Sequence, residues 1–113
     1  MVDFVSSKYK LSKALRVVSK EPVLLSKNYK IRNKEVAERA DGATLQAKGE
    51  LIRDLHARRH TEGISSSIMD ERQLTTLRQQ FMREMSVILD IEMEEAEAKL
   101  DKALAISIAT LEE

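Results

Sequence analysis

"SIMDERQLTTLRQQFMREMSVI", residues 67–88, decides how this chain folds. Leu74, Leu77, Phe81, Met85 and Ile88 return every three or four positions, which lays all five on one stripe of an α-helix. At its start, Ser67 and Asp70 have the spacing of a capping box, with Asp in the place of the usual Glu. No Gly or Pro breaks this segment or the remaining residues up to the C-terminal end. A second stripe, Leu100, Ala103, Leu104, Ile108 and Leu111, comes after the acidic run Glu92, Glu94, Glu95 and Glu97. The spacing alone leaves one long rod or two helices folded back on each other. Two helices of ordinary length agree better with globular proteins, so a hairpin is the expectation.

The upstream half reads the same way. Three glycines and one proline in 113 residues favour long helices over strands. Leu11, Ala14, Leu15 and Val18 repeat at helical spacing, and Pro22 ends that first helix. A second is expected to begin near Ser26 as N-cap, to carry Tyr29, Val36 and Ala40 inward, and to stop at Asp41-Gly42. A third runs from about Ala43 to Arg59, with Leu45, Leu51, Ile52 and Leu55 on one face and Gly63 beyond it. The fold class is therefore all-α, a compact bundle of about five helices, its core built on Leu15, Tyr29, Val36, Leu51, Leu55, Leu77, Phe81 and Leu104. A chain of this length makes one domain and buries roughly 65% of its unfolded surface.

Net charge is zero, but its distribution is not even. Residues 1–64 hold 14 Lys/Arg against 8 Asp/Glu, and residues 65–113 hold 5 against 11. The first half suits a polyanion, and the second a solvated or partner-facing surface. With no cysteine there is no disulfide, thiolate metal site or cysteine nucleophile. No apolar run reaches the ~18 residues of a membrane span, and MVDFVSSKYK lacks a signal-peptide core, so a cytoplasmic protein away from membranes is expected.

Catalytic signatures are missing: there is no Gly-rich phosphate loop, no Gly-x-Ser-x-Gly elbow and no His-Glu-x-x-His. The expectation is a non-enzyme without cofactor or metal. His56 and His60 stand one helical turn apart, yet Arg58 and Arg59 between them repel a cation and no carboxylate lies at a matching spacing. The glutamates at 92–97 lack the Glu-x-x-His partners of a di-metal bundle and read as a solvated acidic stretch. The sharper signal is basic. Lys27, Lys30 and Lys34 can line one edge of the second helix, and Arg53, Arg58 and Arg59 gather toward the end of the third. Such side chains grip phosphates without reading sequence.

Four segments in order carry a resemblance. LSKALRVVSKEP (residues 11–22), LLSKNYK (24–30), ELIRDLHARRHTEGIS (50–65) and DERQLTTLRQQFMREMSVI (70–88) together resemble the C-terminal helical domain of the CarD/CdnL family of bacterial transcription regulators. The resemblance implies a monomeric domain, residues 1–113, that touches the phosphate backbone of promoter DNA at the upstream edge of the bubble. It implies that the domain helps stabilise the RNA polymerase open complex. Polymerase itself would be held by an N-terminal domain that nothing in this sequence resembles, residues 1–7 being what remains of the linker to it. The family's W-S-[RK]-x-Y-K carries a Trp wedge, and Leu25 stands in its place. The resemblance thus implies Leu25, Lys27 and Lys30 as DNA-binding residues, to which the basic edges add Lys34, Arg53, Arg58 and Arg59. Leu25 either presses on an opened base step or packs beneath Tyr29; the expectation here is an exposed or half-exposed Leu25, with Leu24 turned inward. The alternative function is a protein-interaction module that uses the acidic C-terminal helices.

Overall fold

The fold is that of a computed structural model, which describes residues 4–23, 25, 28–60 and 67–112. Five helices follow one another: α1 (Phe4–Val18), α2 (Tyr29–Ala40), α3 (Leu45–His60), α4 (Ile68–Leu89) and α5 (Met93–Ala109), with a 3-10 turn over Thr110–Glu112. Residues 4–7, expected as linker, form the first turn of α1. None of the described helices is long and apolar enough to cross a membrane.

Local chemistry fixes most of the boundaries. The chain stays non-helical from Glu21 through Val23 around Pro22, which can neither donate to a continuing helix nor let its predecessor stay helical. The cap of α2 is Asn28, whose Oδ1 accepts from Lys30 N at 3.0 Å and Ile31 N at 3.3 Å; Ser26, the expected cap, lies outside the described residues. At the other end Gly42 takes φ +64°, the left-handed conformation that the Asp41-Gly42 stop calls for. Thr44 Oγ1 accepts from Ala47 N at 3.2 Å and starts α3. The capping box of α4 is complete, Ser67 N donating to Asp70 Oδ2 at 2.7 Å and Asp70 N to Ser67 Oγ at 3.1 Å.

The hairpin between α4 and α5 turns on Asp90. Its φ of 54° is left-handed, a conformation that Asp tolerates better than most residues with a Cβ. Ser86 holds the turn from both sides, its carbonyl accepting from Ile91 N at 3.1 Å and its hydroxyl donating to Ile91 O at 2.6 Å. Two helices result, as their lengths suggest. Glu94 and Glu95 fall in the first turn of α5, where negative charge suits the helix dipole.

In the middle lies α3, packed against the other four helices. Leu51, Ile52 and Leu55 from α3 meet Leu11, Ala14 and Val18 of α1, Val36 of α2, Leu74, Leu77, Phe81 and Met85 of α4, and Leu100 and Leu104 of α5 in one core. Of the expected core, Val36, Leu51, Leu55, Leu77, Phe81 and Leu104 are buried and Leu15 is partly so. Tyr29 is the exception, 56% exposed. Tyr29 shares a helical face with Arg32 and Val36, but as the first residue behind the Asn28 cap it stands at the free end of α2, and only the two residues further along that face are buried. Leu111 also leaves the core, because the helix gives way to the 3-10 turn at Thr110 before reaching it.

Gly49 lets α1 and α3 approach. A Cβ there would stand 3.0 Å from Val18 Cγ2 and 3.2 Å from the Ala14 carbonyl oxygen. In an exposed helix Gly→Ala gains about 1 kcal/mol. Here the backbone oxygen cannot swing aside as a side chain can, so Gly49→Ala is expected to lower the melting temperature despite its better propensity. A melt at or above that of the parent would show that the crossing can open.

Candidate nucleic-acid interface

The basic residues expected to act together are divided by the fold. Lys30 and Lys34 lie one turn apart on α2, both exposed and both on the side away from the buried Arg32 and Val36. Glu38, a further turn along, is exposed on the same side and limits the positive edge to the first half of the helix. Lys27 lies outside the described residues. Beside Lys30 are two exposed apolar side chains, Tyr29 and Ile31, and Val23 on the preceding connector is exposed as well. Tyr29 lies on the Arg32 and Val36 side of the helix, so the same helix start exposes an aromatic ring that can meet the face of a base and, around from it, cations that can meet phosphates.

Leu25 is not part of that surface. It is only 5% exposed and belongs to the core, which overturns the expectation of an exposed residue in the wedge position. The cause lies in the connector. Val23 N donates to Asp54 Oδ1 at 2.9 Å, which draws the chain onto α3 two residues before Leu25. The side chain at 25 then has the apolar interior beside it, and burial removes its area from water. Leu24 lies outside the described residues.

Two of the three arginines on α3 are also buried. Arg53 Nε donates to Asp54 Oδ1 at 2.9 Å, and one terminal nitrogen donates to the Val17 carbonyl at 3.2 Å. This guanidinium ties α3 to the end of α1 and has no face free for a phosphate. Arg58 is 4% exposed and close to both Arg32 and Asp70. Burial and the neighbouring Arg32 charge push its pKa down, and the Asp70 carboxylate offsets them in part. Arg53 and Arg58 therefore act inside the domain, because a helix packed on four sides has little outer face for them. The side chain of Arg59 lies outside the described set.

A buried, two-pronged ion pair is not legible as such in the sequence. Arg32 of α2 forks onto Asp70 of α4, Nε to Oδ1 at 2.8 Å and a terminal nitrogen to Oδ2 at 2.9 Å, with both side chains buried. Burial by itself disfavours the Asp70 charge. The hydrogen bonds from Arg32 and Ser67 outweigh it and hold the carboxyl below the usual carboxylate range. A signal does exist: Arg32 stands one turn before Val36, on the face that carries Val36 inward. The pair fixes α2, and with it Lys30 and Lys34, on the start of α4.

The acidic residues Glu92, Glu94, Glu95 and Glu97 are exposed around the start of α5. Among the described residues no three His, Asp or Glu side chains come together as metal ligands would. No curated protein and no solved structure matches the chain. The family described as CarD, C-terminal domain, matches residues 13–101. That span takes in part of α1, all of α2, α3 and α4, and the first half of α5, so the chain belongs to the C-terminal domain family of the CarD-like transcription regulators.

Proposed function

We propose that this domain contacts the phosphate backbone of promoter DNA through the N-terminal half of α2, near the upstream edge of the bubble, and in this way favours the open complex of RNA polymerase. The observation that carries the reading is the exposure of Lys30 and Lys34 on the half of α2 that also exposes Tyr29, in a chain of this family. Lys30 and Lys34 grip phosphates, and Tyr29 supplies the apolar face that Leu25 cannot. Sequence readout has no part, since phosphate contacts position a protein without specifying bases. The polymerase is engaged by a separate N-terminal domain, which would raise the local concentration of a weak DNA contact.

Fluorescence anisotropy on duplex DNA tests this. Affinity is expected at Kd of order 10⁻⁴–10⁻⁶ M with little sequence preference. Changing Lys30→Ala with Lys34→Ala should reduce the slope of log K against log salt by up to about 2, following ~0.9 per phosphate. A double variant with the slope of the parent would remove the α2 edge from the footprint. Tyr29→Ala should weaken binding to DNA with an unpaired segment more than binding to intact duplex, because stacking needs an open base face.

A further inference from the structure

The chain has a second positive surface, on helices that α2 does not touch. Leu15 and Arg16 of α1, Ser19 just beyond its end, and Lys99, Lys102 and Ile106 of α5 line an open groove of about 380 Å³. Its far end is tied shut by Ser107, whose hydroxyl donates to the Lys20 carbonyl at 2.7 Å. The two walls are therefore held at a fixed spacing. Among the described residues Arg16, Lys99 and Lys102 take part in no salt bridge. The nearby carboxylate of Asp101 is committed elsewhere, to Arg78 of α4 at 2.8 Å. Glu95, one turn before Lys99, does not line the groove. The floor is apolar, formed by the half-buried Leu15 and by Ile106, which is 51% exposed.

We propose that this groove docks an acidic, amphipathic segment of a protein partner, with an apolar side chain on Leu15 and Ile106 and carboxylates on Arg16, Lys99 and Lys102. Charge complementarity selects the occupant. Three cations that form no salt bridge among the described residues, set around an apolar floor, match a helix that carries carboxylates beside a Leu, Ile or Phe anchor. Duplex DNA presents phosphates but no apolar anchor, and so leaves Ile106 unused. α2 packs on α3 and α4 and on neither α1 nor α5, so the groove is separate from the edge of Lys30 and Lys34. A protein docked here leaves that edge open.

The probe is a short fluorescein-labelled peptide of glutamates with Leu at every third or fourth position, and polyglutamate of the same length is the control. The full chain is expected to bind the Leu-containing peptide more tightly than polyglutamate, and binding should shift the backbone amide signals of Arg16, Lys102 and Ile106 in NMR spectra. Lys99→Glu with Lys102→Glu should weaken the peptide by at least about tenfold, since attraction at two sites becomes repulsion. Ile106→Ala should weaken it severalfold. All these side chains are exposed, so the variants should melt as the parent does; Lys99→Ala with Lys102→Ala is the milder replacement if they do not. The Lys30→Ala, Lys34→Ala variant should bind the peptide as the parent does, which keeps this test independent of the DNA reading. Equal affinity for polyglutamate, unchanged binding by the Lys99/Lys102 variants, or movement of these amides by duplex DNA in place of the peptide would each overturn the proposal.

Discussion

Phe81→Ala is expected to remove about 3–5 kcal/mol of folding stability, a large part of the ~5–15 kcal/mol that holds an ordinary domain together. Phe81 is fully buried in the middle of α4. Its ring reaches the α1–α3 crossing, 3.5 Å from where a Cβ on Gly49 would lie. One side chain thus touches the place where three helices meet. Truncation leaves a void that backbone on three sides cannot collapse into, so the lost transfer energy and the cavity add. Val87→Ala serves as control. Val87 is on the same helix but well exposed, and its replacement should change stability by no more than ~0.5 kcal/mol. Urea unfolding of the two variants checks the contrast. Equal midpoints would mean that Phe81 does not organise the core.

The reasons why α4 and α5 are legible in the sequence, and the buried arginines are not, are physical. The stripe Leu74, Leu77, Phe81, Met85 is read easily because α4 has one apolar face and one wet face. A helix of that kind writes its orientation into its period. α3 does not. It packs on all four other helices, so Arg53, Asp54 and Arg58 are buried along with Leu51, Ile52 and Leu55, and its charges carry no marker of an outer face. Arg53 and Arg58 accordingly look like phosphate ligands when only their spacing is considered. Leu25 misleads for another reason. Its burial stems from a contact between Val23 and Asp54, far apart in the chain, and local spacing holds no trace of it. Lys30 and Lys34 can be read because they oppose Val36 on a short two-faced helix, whereas the α1–α5 groove needs two helices brought together before it exists.

Asp70→Asn should cost about 3–5 kcal/mol at neutral pH, the usual effect of leaving one member of a buried ion pair without its counter-charge. The buried Arg32 guanidinium would lose the carboxylate it forks onto, and Arg58 close by would lose the Asp70 charge that in part offsets its own burial. The Asn amide can still accept from Ser67 N, so the α4 cap survives and the loss reports on charge. The pH dependence separates this from a simple packing defect. The folded-state pKa of Asp70 lies below the unfolded value of about 3.9. Its contribution is thus fully present above that value and is lost as pH falls through the lower folded pKa. The parent should lose stability across this acid window, while Asp70→Asn has nothing to titrate there. The two should therefore converge as pH falls. Arg32→Met combined with Asp70→Asn should cost less than the sum of the single changes by on the order of 0.5–3 kcal/mol, because removing both charges strands neither. Denaturant unfolding of the four proteins at pH 7 and at steps below pH 4 measures all of this. A gap between parent and Asp70→Asn that stays constant with pH would show that the Asp70 charge does not hold α2 against α4.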